Sequence, residues 1–362
     1  MGCTIAGTGK ALPELVVTND DLSQVVETND EWITERTGIR NRHVALKESS
    51  TDLAADAGRA ALADAGMEPE DMDLLICMTI TPDSVVPSQA CLVKARLGLD
   101  RAVAFDLNAA CAGCVYGIEA AADMMEASAL ADLPEAAGLR LARGNRIRRA
   151  LVIGVDRLSR ITDWTDRSTC VLFGDGAGAV VLEWNAEAPG ILSSFLENTD
   201  DPTLALACDQ LRDLSTFPFG TIEQENVGAI MRTSVEDPAK ELSRPHHPFI
   251  SMQGQKIFKW ASKAMADAVR TACERADVPL ADVALIVPHQ ANERIIRFAA
   301  KKLGLPTDRF QVSIQDVGNT SASSVLMALA DAYQTGRVRP GDKVVLVGFG
   351  GGLTLGAILF QA

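Results

Sequence analysis

The feature that most constrains the fold of this 362-residue chain is an internal repeat. Five segments of the first half recur in the same order in the second half. The pairs are "AALADAGMEPEDMDLLICMTI" (60–80) with "TACERADVPLADVALIVPHQ" (271–290), "ACLVKARLGL" (90–99) with "IIRFAAKKLGL" (295–305), "FDLNAACAGCVYGIEAA" (105–121) with "VSIQDVGNTSASSVLMALADA" (312–332), "RALVIGVD" (149–156) with "KVVLVGFG" (343–350), and "GAGAVVLEW" (176–184) with "LTLGAILF" (353–360). A repeat of this kind indicates one structural unit used twice.

Each unit alternates short runs of Val, Ile and Leu with alanine-rich helical patterns. This alternation is typical of an α/β protein with a buried, largely parallel sheet. We therefore predict two pseudo-symmetric halves, residues 1–184 and 185–362, that pack as one body. Two segments break the symmetry: an Ala/Arg-rich extension at 126–149, and a proline-containing stretch at 185–251 that we predict to be irregular.

Composition excludes several classes of protein. The net charge of −14 argues against nucleic-acid binding, which needs a basic face. The longest apolar runs are too short to span a membrane, and no basic segment followed by an apolar run indicates a secretory signal. Eight cysteines lie mostly in apolar stretches, which favours reduced thiols. We expect a cytoplasmic protein with no nucleic-acid or membrane partner.

The repeat also brings together three side chains that can do chemistry. Cys111 follows a predicted strand and begins a predicted helix, and Asn319 lies in the matching turn of the second half. His289 ends a predicted strand one element before Asn319. Each residue has an ordinary alternative: a small core thiol, a structural histidine and a turn residue. Their corresponding positions favour one cleft that holds all three.

A cysteine at a helix start suits nucleophilic catalysis. A helix N-terminus or a nearby histidine lowers the pKa of a thiol from about 8.5. The backbone N–H of Cys111 would point towards a thioester oxygen that becomes negatively charged. Gly351, in "GFGGGLTLG" (348–356), is a candidate second donor because glycines allow close approach of backbone. The alternative is that these glycines form only a tight turn between strands.

Other readings of these motifs are less well supported. Cys111 and Cys114 form a C-x-x-C spacing, but no second such pair exists, and the only adjacent histidines are His246 and His247. We therefore predict no metal site, while a redox dithiol remains an alternative. "FGDGAG" (173–178) precedes a strand-like run and not a helix, which argues against a dinucleotide site.

With "TNDEWITERTGIRNRH" (28–43), "HQANERII" (289–296) and "FGGGLTLG" (349–356), these motifs resemble the 3-oxoacyl-[acyl-carrier-protein] synthase III family of thiolase-superfamily condensing enzymes. The resemblance covers nearly the whole chain. It implies a five-layered αβαβα fold, a homodimer and a catalytic triad of Cys111, His289 and Asn319. It also implies that an acyl-CoA acylates Cys111 and that malonyl-acyl-carrier protein then condenses with loss of CO2. No cofactor beyond the CoA thioester substrate is implied.

The resemblance further implies two binding surfaces. Trp32 and Arg160 would hold the adenine of CoA, and Trp32 would follow a capping box from Thr28 to Glu31. Further CoA contacts are expected from Arg36, Phe258 and Asn292. A basic patch for the acidic carrier protein is expected at Lys256, Lys259 and Arg294.

Three positions depart from the family pattern towards smaller side chains. Val86 stands where relatives often carry a Phe that enters the partner's acyl pocket, and Leu353 and Leu355 replace bulkier aromatic residues. We therefore predict an enlarged acyl pocket and a primer longer than acetyl. Alternatives are an acyltransferase or a condensing enzyme of a secondary-metabolite pathway, and a non-catalytic partner subunit.

Overall fold

The computed structural model describes residues 2–131, 146–208 and 249–362. The strands are β1 (Gly2–Ala11), β2 (Leu15–Thr18), β3 (Asn41–Val44), β4 (Leu74–Met78), β5 (Val103–Leu107), β6 (Arg149–Arg157), β7 (Asp175–Asn185), β8 (Ile191–Asn198), β9 (Leu206–Ala207), β10 (Ser251–Met252), β11 (Val283–Pro288), β12 (Lys343–Gly350) and β13 (Thr354–Gln361). The α-helices are α1 (Asn19–Leu22), α2 (Asp30–Thr37), α3 (Ser50–Ala65), α4 (Gln89–Leu97), α5 (Gly113–Leu130), α6 (Gly254–Arg275), α7 (Glu293–Leu303), α8 (Ile314–Val317) and α9 (Ser324–Gln334).

Two sheets repeat one strand order. The first sheet is ordered β1-β7-β6-β4-β5, with β4 parallel to both of its neighbours and β7 antiparallel to both of its own. The second is ordered β8-β13-β12-β11, with the same directions. An isolated parallel bridge from Ile286 to Phe310 occupies the place that β5 has in the first sheet. We infer that the boundary between the halves lies in the connection from β7 to β8.

Helices fill the spaces around and between the sheets. Helices α5 and α9 pack together with both sheets in one apolar cluster, which includes Ile118 and Leu329. Helices α3 and α4 cover the outer face of the first sheet, and α6 and α7 cover that of the second. The resulting order is helix, sheet, helix, sheet, helix, so the predicted αβαβα fold is confirmed.

Local sequence signals set the ends of the helices that carry this packing. Helix α3 begins at a capping box between Ser49 and Asp52, and ends at Gly66 in the left-handed conformation. Helix α7 begins after Asn292, whose side chain accepts the Arg294 N–H, and ends at left-handed Gly304. Helix α4, the counterpart of α7 in the first half, likewise ends at a left-handed glycine, Gly98.

The two asymmetric segments differ from their prediction. Helix α5 continues to Leu130, so the first part of the 126–149 extension is helical, while 132–145 lie outside the described residues. The stretch 185–251 is not wholly irregular, because β8 is the edge strand of the second sheet. Its "ILSSFLEN" is only partly buried and therefore lacks clear alternation. Residues 209–248 lie outside the described residues.

Candidate active site

Cys111 lies in a tight turn that joins β5 to α5. The side-chain oxygen of Asn108 accepts the N–H of Ala110 at 3.1 Å, and Ala110 takes a positive φ of 47°. A single 3₁₀ turn, Ala110–Ala112, follows and leads into α5. Cys111 therefore sits just before the α-helix, with 9% of its surface exposed.

The second half repeats this turn around Asn319. The Oδ1 atom of Asn319 accepts the N–H of Ser321 at 2.9 Å, and Ser321 takes a positive φ of 55°. A 3₁₀ turn, Ser321–Ser323, then leads into α9. The structural counterpart of Asn319 is therefore Asn108, and that of Cys111 is Ala322. Cys111 and Asn319 therefore lie in equivalent turns, as expected, but three positions apart when the two turns are aligned.

Hydrogen bonds fix the amide group of Asn319. Its backbone N–H donates to the Leu172 carbonyl at 2.8 Å, and its carbonyl accepts the Gly174 N–H at 3.0 Å. Because a backbone N–H can only donate, the side-chain atom that faces Ser321 N–H is the oxygen. The two N–H bonds of Nδ2 are then left to donate on the opposite side.

His289 follows β11 and is held from two directions. Its backbone N–H donates to the Val347 carbonyl at 2.8 Å, and its Nδ1 lies 2.6 Å from Ser324 Oγ. The ring meets Phe349 edge to face at a centroid distance of 5.0 Å. Burial lowers the pKa of His289 to about 3, so the imidazole is neutral at physiological pH.

The tautomer of His289 follows from its serine partner. Ser324 Oγ accepts the Gln290 N–H at 3.3 Å. Within the described chain, no acceptor other than Nδ1 lies at hydrogen-bond distance from the Ser324 hydroxyl. The hydroxyl therefore donates to Nδ1, and the ring proton resides on Nε2. His289 is thus a neutral hydrogen-bond donor on its Nε2 side.

The glycine that ends β12 packs directly on the Cys111 turn. A Cβ atom at Gly350 would lie 2.6 Å from the Cys111 nitrogen, so only glycine fits there. Gly351 follows it, and the Gly351 carbonyl accepts the Thr354 hydroxyl at 3.2 Å. The close approach to Cys111 gives Gly350 a packing reason beyond that of a turn.

One cavity of about 1490 Å³ brings these residues together. Its lining includes Cys111, His289 and Asn319 as well as Gly350 and Gly351. Ser321 also lines it, with its hydroxyl 3.5 Å from the Cys111 sulfur. Ser321 was missed from the sequence, although its place two residues after Asn319 matches that of Ala110 after Asn108.

The thiol of Cys111 differs from its expected ionisation. Burial raises its pKa to about 11, and the charge of Asp156 adds to this, while hydrogen bonds from Ser321 and the Cys111 N–H oppose it. The expectation of a lowered pKa is therefore wrong for the free protein, because burial outweighs the hydrogen bonds that favour the thiolate. The thiol is neutral at pH 7 and must lose its proton as it attacks.

Arginine side chains surround Trp32 at the cavity. The guanidinium carbons of Arg36 and Arg167 lie 4.7 and 4.9 Å from the Trp32 ring centroid. Arg160 instead donates to the Pro82 carbonyl at 3.1 Å and does not line the cavity. The pairing predicted for Arg160 with Trp32 is therefore wrong, and Arg167, in "DWTDRST" (163–169), takes that position.

The helix that carries Trp32 is also capped differently from the prediction. The N-cap of α2 is Asn29, whose side chain accepts the Trp32 N–H at 2.8 Å. Thr28 is therefore outside the cap, and the predicted capping box with Glu31 does not form.

Phe258, Asn292 and Arg294 lie together along one wall of the cavity. The Arg294 guanidinium lies 5.5 Å from the Phe258 ring centroid, and Asn292 Nδ2 donates to the Arg36 carbonyl at 3.0 Å. Arg36 and Asn292 thereby connect α2 to α7. Of the residues predicted to contact CoA, Trp32, Arg36, Phe258 and Asn292 therefore line one cavity.

The three residues of the predicted basic patch differ in their surroundings. Arg294 and Lys259 are exposed. Lys256 forms an ion pair with Asp201 at 2.7 Å and also donates to Thr203. Its charge is therefore balanced within the protein, which weakens its predicted role in the patch.

The predicted acyl-pocket residues do not line this cavity. Leu353 packs with Ala205 and Ile257, and Leu355 faces the cluster under α6 and α7. The expectation that they enlarge the pocket is therefore wrong, because the pleat of β13 directs Leu355 into the outer helical layer. Val86 is 85% exposed on the surface. Apolar cavity walls come instead from Ile80, Leu158, Ile161, Val171, Leu172, Phe173, Leu206, Ile250 and Met252.

The surroundings of Cys114 argue against the redox alternative. Cys114 is fully buried in the central cluster, and burial raises its pKa to about 12, so it is poorly suited to thiol exchange. Within residues 2–131, 146–208 and 249–362, no group of three or more His, Cys, Asp or Glu is placed to bind a metal. In the same ranges no helix is long and apolar enough to cross a membrane.

Comparison with known proteins identifies one family. A family model described as the C-terminal part of 3-oxoacyl-[acyl-carrier-protein] synthase III matches residues 273–362, and the model described as the same synthase matches 136–200. The chain is 41% identical to beta-ketoacyl-[acyl-carrier-protein] synthase III of Clostridium beijerinckii, covering 99% of this chain and 98% of that protein. It is 43% identical to the synthase III of Symbiobacterium thermophilum, covering 99% and 97%.

A solved structure shows the same relationship. The 3-oxoacyl-[acyl-carrier-protein] synthase III of Aquifex aeolicus is 37% identical, matches the whole of both chains, and superposes with a TM-score of 0.83. The chain therefore belongs to the beta-ketoacyl-[acyl-carrier-protein] synthase III family and is a condensing enzyme of the acyltransferase type.

Proposed function

We propose that this enzyme transfers an acyl group from CoA to Cys111 and condenses it with malonyl-acyl-carrier protein to give a 3-oxoacyl product and CO2, which initiates fatty-acid synthesis. The observation that carries the proposal is that one cavity contains a thiol and two neutral hydrogen-bond donors, Cys111, His289 and Asn319. The names of the relatives support the substrate class.

The first half-reaction uses the Cys111 turn. The sulfur attacks the thioester carbon of the acyl-CoA, and the carbonyl oxygen becomes an oxyanion. We propose that the backbone N–H groups of Cys111 and Gly351 donate to this oxygen. The close packing of Gly350 on the Cys111 nitrogen supports the proposal, because it holds the two segments together. Such fixed donors are typically worth about 10²–10³ in rate each.

The second half-reaction uses His289 and Asn319. Loss of CO2 from the malonyl group leaves an enolate whose oxygen carries negative charge. His289 Nε2–H and Asn319 Nδ2–H would donate to that oxygen, and each is oriented by a fixed partner, Ser324 or Ser321. The enolate carbon then attacks the acyl carbon, and the C–S bond to Cys111 breaks. Because both donors are neutral, they stabilise the enolate but form no ion pair with the malonyl carboxylate that must leave as CO2.

CoA would enter past the arginines at Trp32. An adenine ring can stack beside Trp32, and the phosphates can pair with Arg36, Arg167 and Arg294. Arg36 and Arg294 line the cavity, and Arg167 lies against Trp32, which also lines it. In a chain whose net charge is −14, these three cations form a local basic group. The acidic carrier protein would use the same entrance, with Arg294 and Lys259 as contacts.

The primer is proposed to be longer than acetyl. Leu353 and Leu355 do not line the cavity and therefore do not support a longer primer. The support comes from the apolar cavity walls, which include Leu158 and Phe173, and from the small side chain of Val86. A panel of acyl-CoA primers from acetyl to dodecanoyl tests this. A preference for acetyl-CoA, or an unchanged preference in Val86→Phe, would contradict it.

A homodimer in the cytoplasm is the proposed working state. Strand β5 is the edge of the first sheet as described, and Val85 and Val86 near it are 79% and 85% exposed. Apolar residues beside an open strand edge suit pairing with a second copy. All eight cysteines are free thiols, as expected in a reducing compartment. Light scattering after size exclusion should give twice the mass of one chain.

The activity itself is tested with purified protein, an acyl-CoA and radiolabelled malonyl-acyl-carrier protein. The expected products are labelled CO2, free CoA and 3-oxoacyl-carrier protein in equal amounts. Release of CoA with transfer of the acyl group to an alcohol or amine, and no CO2, would support the acyltransferase alternative. No covalent adduct and no product would support a non-catalytic subunit.

A further inference from the structure

Asp156 is a buried carboxylate near Cys111. Neither half-reaction of the proposed function uses it. It lies on β6 with no exposed surface. Its Oδ1 atom accepts hydrogen bonds from Thr79 Oγ1 at 3.1 Å, Ile80 N–H at 2.8 Å and Thr81 Oγ1 at 2.8 Å. Its Oδ2 atom has no partner at hydrogen-bond distance among the described residues. One oxygen is thus fully engaged and the other is available.

The free oxygen belongs to a side chain directed at Ser321. Asp156 lies two residues after Gly154, so both face the same side of β6. A Cβ atom at Gly154 would lie 2.6 Å from the Ala322 carbonyl oxygen, which shows that this side of the strand packs on the Ser321–Ser323 turn. The Ser321 hydroxyl is near enough to the carboxyl of Asp156 to lower its pKa, although burial, the largest influence, raises that pKa overall.

The repeat gives independent support for this contact. Asp156 ends "RALVIGVD" and corresponds to Gly350 at the end of "KVVLVGFG". A Cβ atom at Gly350 would lie 3.1 Å from the Ala110 Cβ, and Ala110 is the counterpart of Ser321. A side chain at position 156 is therefore directed towards Ser321, as a side chain at position 350 would be directed towards Ala110.

Ser321 connects this carboxylate to the nucleophile. Its hydroxyl lies 3.5 Å from the Cys111 sulfur, within the range of a hydrogen bond to sulfur. His289 cannot take the thiol proton, because its Nε2 already carries one. Ser321 is thus the hydroxyl that links Cys111 to a buried anion.

We propose that Ser321 and Asp156 form a proton relay that deprotonates Cys111 during acylation. This rests on the proposed function, since it concerns its first half-reaction. As the sulfur attacks the thioester carbon, the S–H proton passes to Ser321 Oγ and the Ser321 proton passes to Asp156 Oδ2. The C–S bond to CoA breaks and its electron pair stays on the CoA sulfur. That sulfur takes the proton back from Asp156 through Ser321 and leaves as CoA thiol. Ser321 is catalytic in this step, and Asp156 acts through it.

The test is Asp156→Asn, which keeps the size of the side chain and an oxygen for the three donors. The negative charge of Asp156 raises the pKa of Cys111, so charge removal alone would produce more thiolate and faster acylation. A relay predicts the opposite change in the acylation rate. Asp156→Asn should be acylated about 10²-fold more slowly than wild type, a loss in the range that a general base contributes. The readout is the rate of CoA release from acyl-CoA alone in a single turnover.

The pH profile separates a relay from a structural role. Wild-type acylation should change less than about threefold between pH 7 and 9, whereas Asp156→Asn should rise about tenfold per pH unit because only ionised thiol then reacts. Ser321→Ala should show the same steep profile, and it provides a second test if Asp156→Asn does not fold. Asp175→Asn replaces another fully buried aspartate, which serves as a control expected to keep the wild-type profile.

Each outcome bears on a different proposal. If wild type forms no acyl adduct, the proposed function fails before the relay is tested. If wild type is acylated and Asp156→Asn is acylated equally fast or faster, the relay is overturned and the proposed function stands. A slower Asp156→Asn with a flat pH profile also overturns the relay, because a structural loss moves the rate but not the slope.

Discussion

Replacement of Asn319 should separate the two half-reactions. The backbone of Asn319 is held by hydrogen bonds with Leu172 and Gly174, and neither involves the side chain. Asn319→Ala should therefore leave the main chain of residue 319 in place, while it removes one donor to the enolate and the acceptor of the Ser321 N–H. Removal of one such donor costs about 10²–10³ in rate, or roughly 2.7–4 kcal/mol of transition-state stabilisation. Acylation of Cys111 should fall by less than about tenfold.

Asn319→Asp is the matched variant. The carboxylate can still accept the Ser321 N–H that Asn319 Oδ1 accepts at 2.9 Å. The Nδ2 donor, however, becomes an anionic oxygen that faces the developing enolate, so the loss should exceed that of Asn319→Ala. The assay is CO2 release from preformed acyl-enzyme mixed with malonyl-acyl-carrier protein, with melting temperatures as a folding control. CO2 release by Asn319→Ala within twofold of wild type would refute the reasoning, as would a parallel loss of acylation.

Three further predictions follow from the site. Gly350→Ala should slow acylation about 10²-fold, because its Cβ would lie 2.6 Å from the Cys111 nitrogen and displace the turn. An unchanged burst of CoA release would contradict the inference that Gly350 positions the Cys111 turn. Arg167→Ala should raise the Kd for acyl-CoA, measured by calorimetry, about threefold to tenfold, while Arg160→Ala should change it less than twofold. A larger effect of Arg160→Ala would contradict the assignment of Arg167 as the arginine beside Trp32. The rate of CO2 release from acyl-enzyme should show no inflection between pH 5 and 8. Burial lowers the pKa of His289 to about 3, so its imidazole stays a neutral donor over this range. A step in the rate near pH 6.5 would show that the imidazole titrates there.

The fold was predictable because the repeat determines the order of its elements. Five recurring segments led to two equivalent sheets, and alternation of apolar runs with alanine-rich segments led to the helical layers. Strand β8 was missed, because an edge strand buries little and shows no regular period. The outward direction of Leu355 depends on the pleat of β13, which a short sequence motif does not specify.

The three central side chains of the site were predictable from the sequence, but their electrostatics and several of their neighbours were not. Cys111, His289 and Asn319 do line one cavity, as their positions at strand ends suggest. The helix start of Cys111 was visible in the sequence, but the burial that raises its pKa depends on packing from both halves. Arg167 lies in an irregular segment between β6 and β7, where no periodicity tells which arginine faces Trp32.

Covalent labelling of the thiol tests the central claim most directly. Intact-mass spectrometry of the protein after incubation with an acyl-CoA should show one added acyl group, and peptide mapping should place it on Cys111. Cys111→Ala should show no added mass, while Cys114→Ala should be labelled like wild type. An acyl group on another residue, or labelling that persists in Cys111→Ala, would contradict the assignment of the nucleophile and the mechanism built on it.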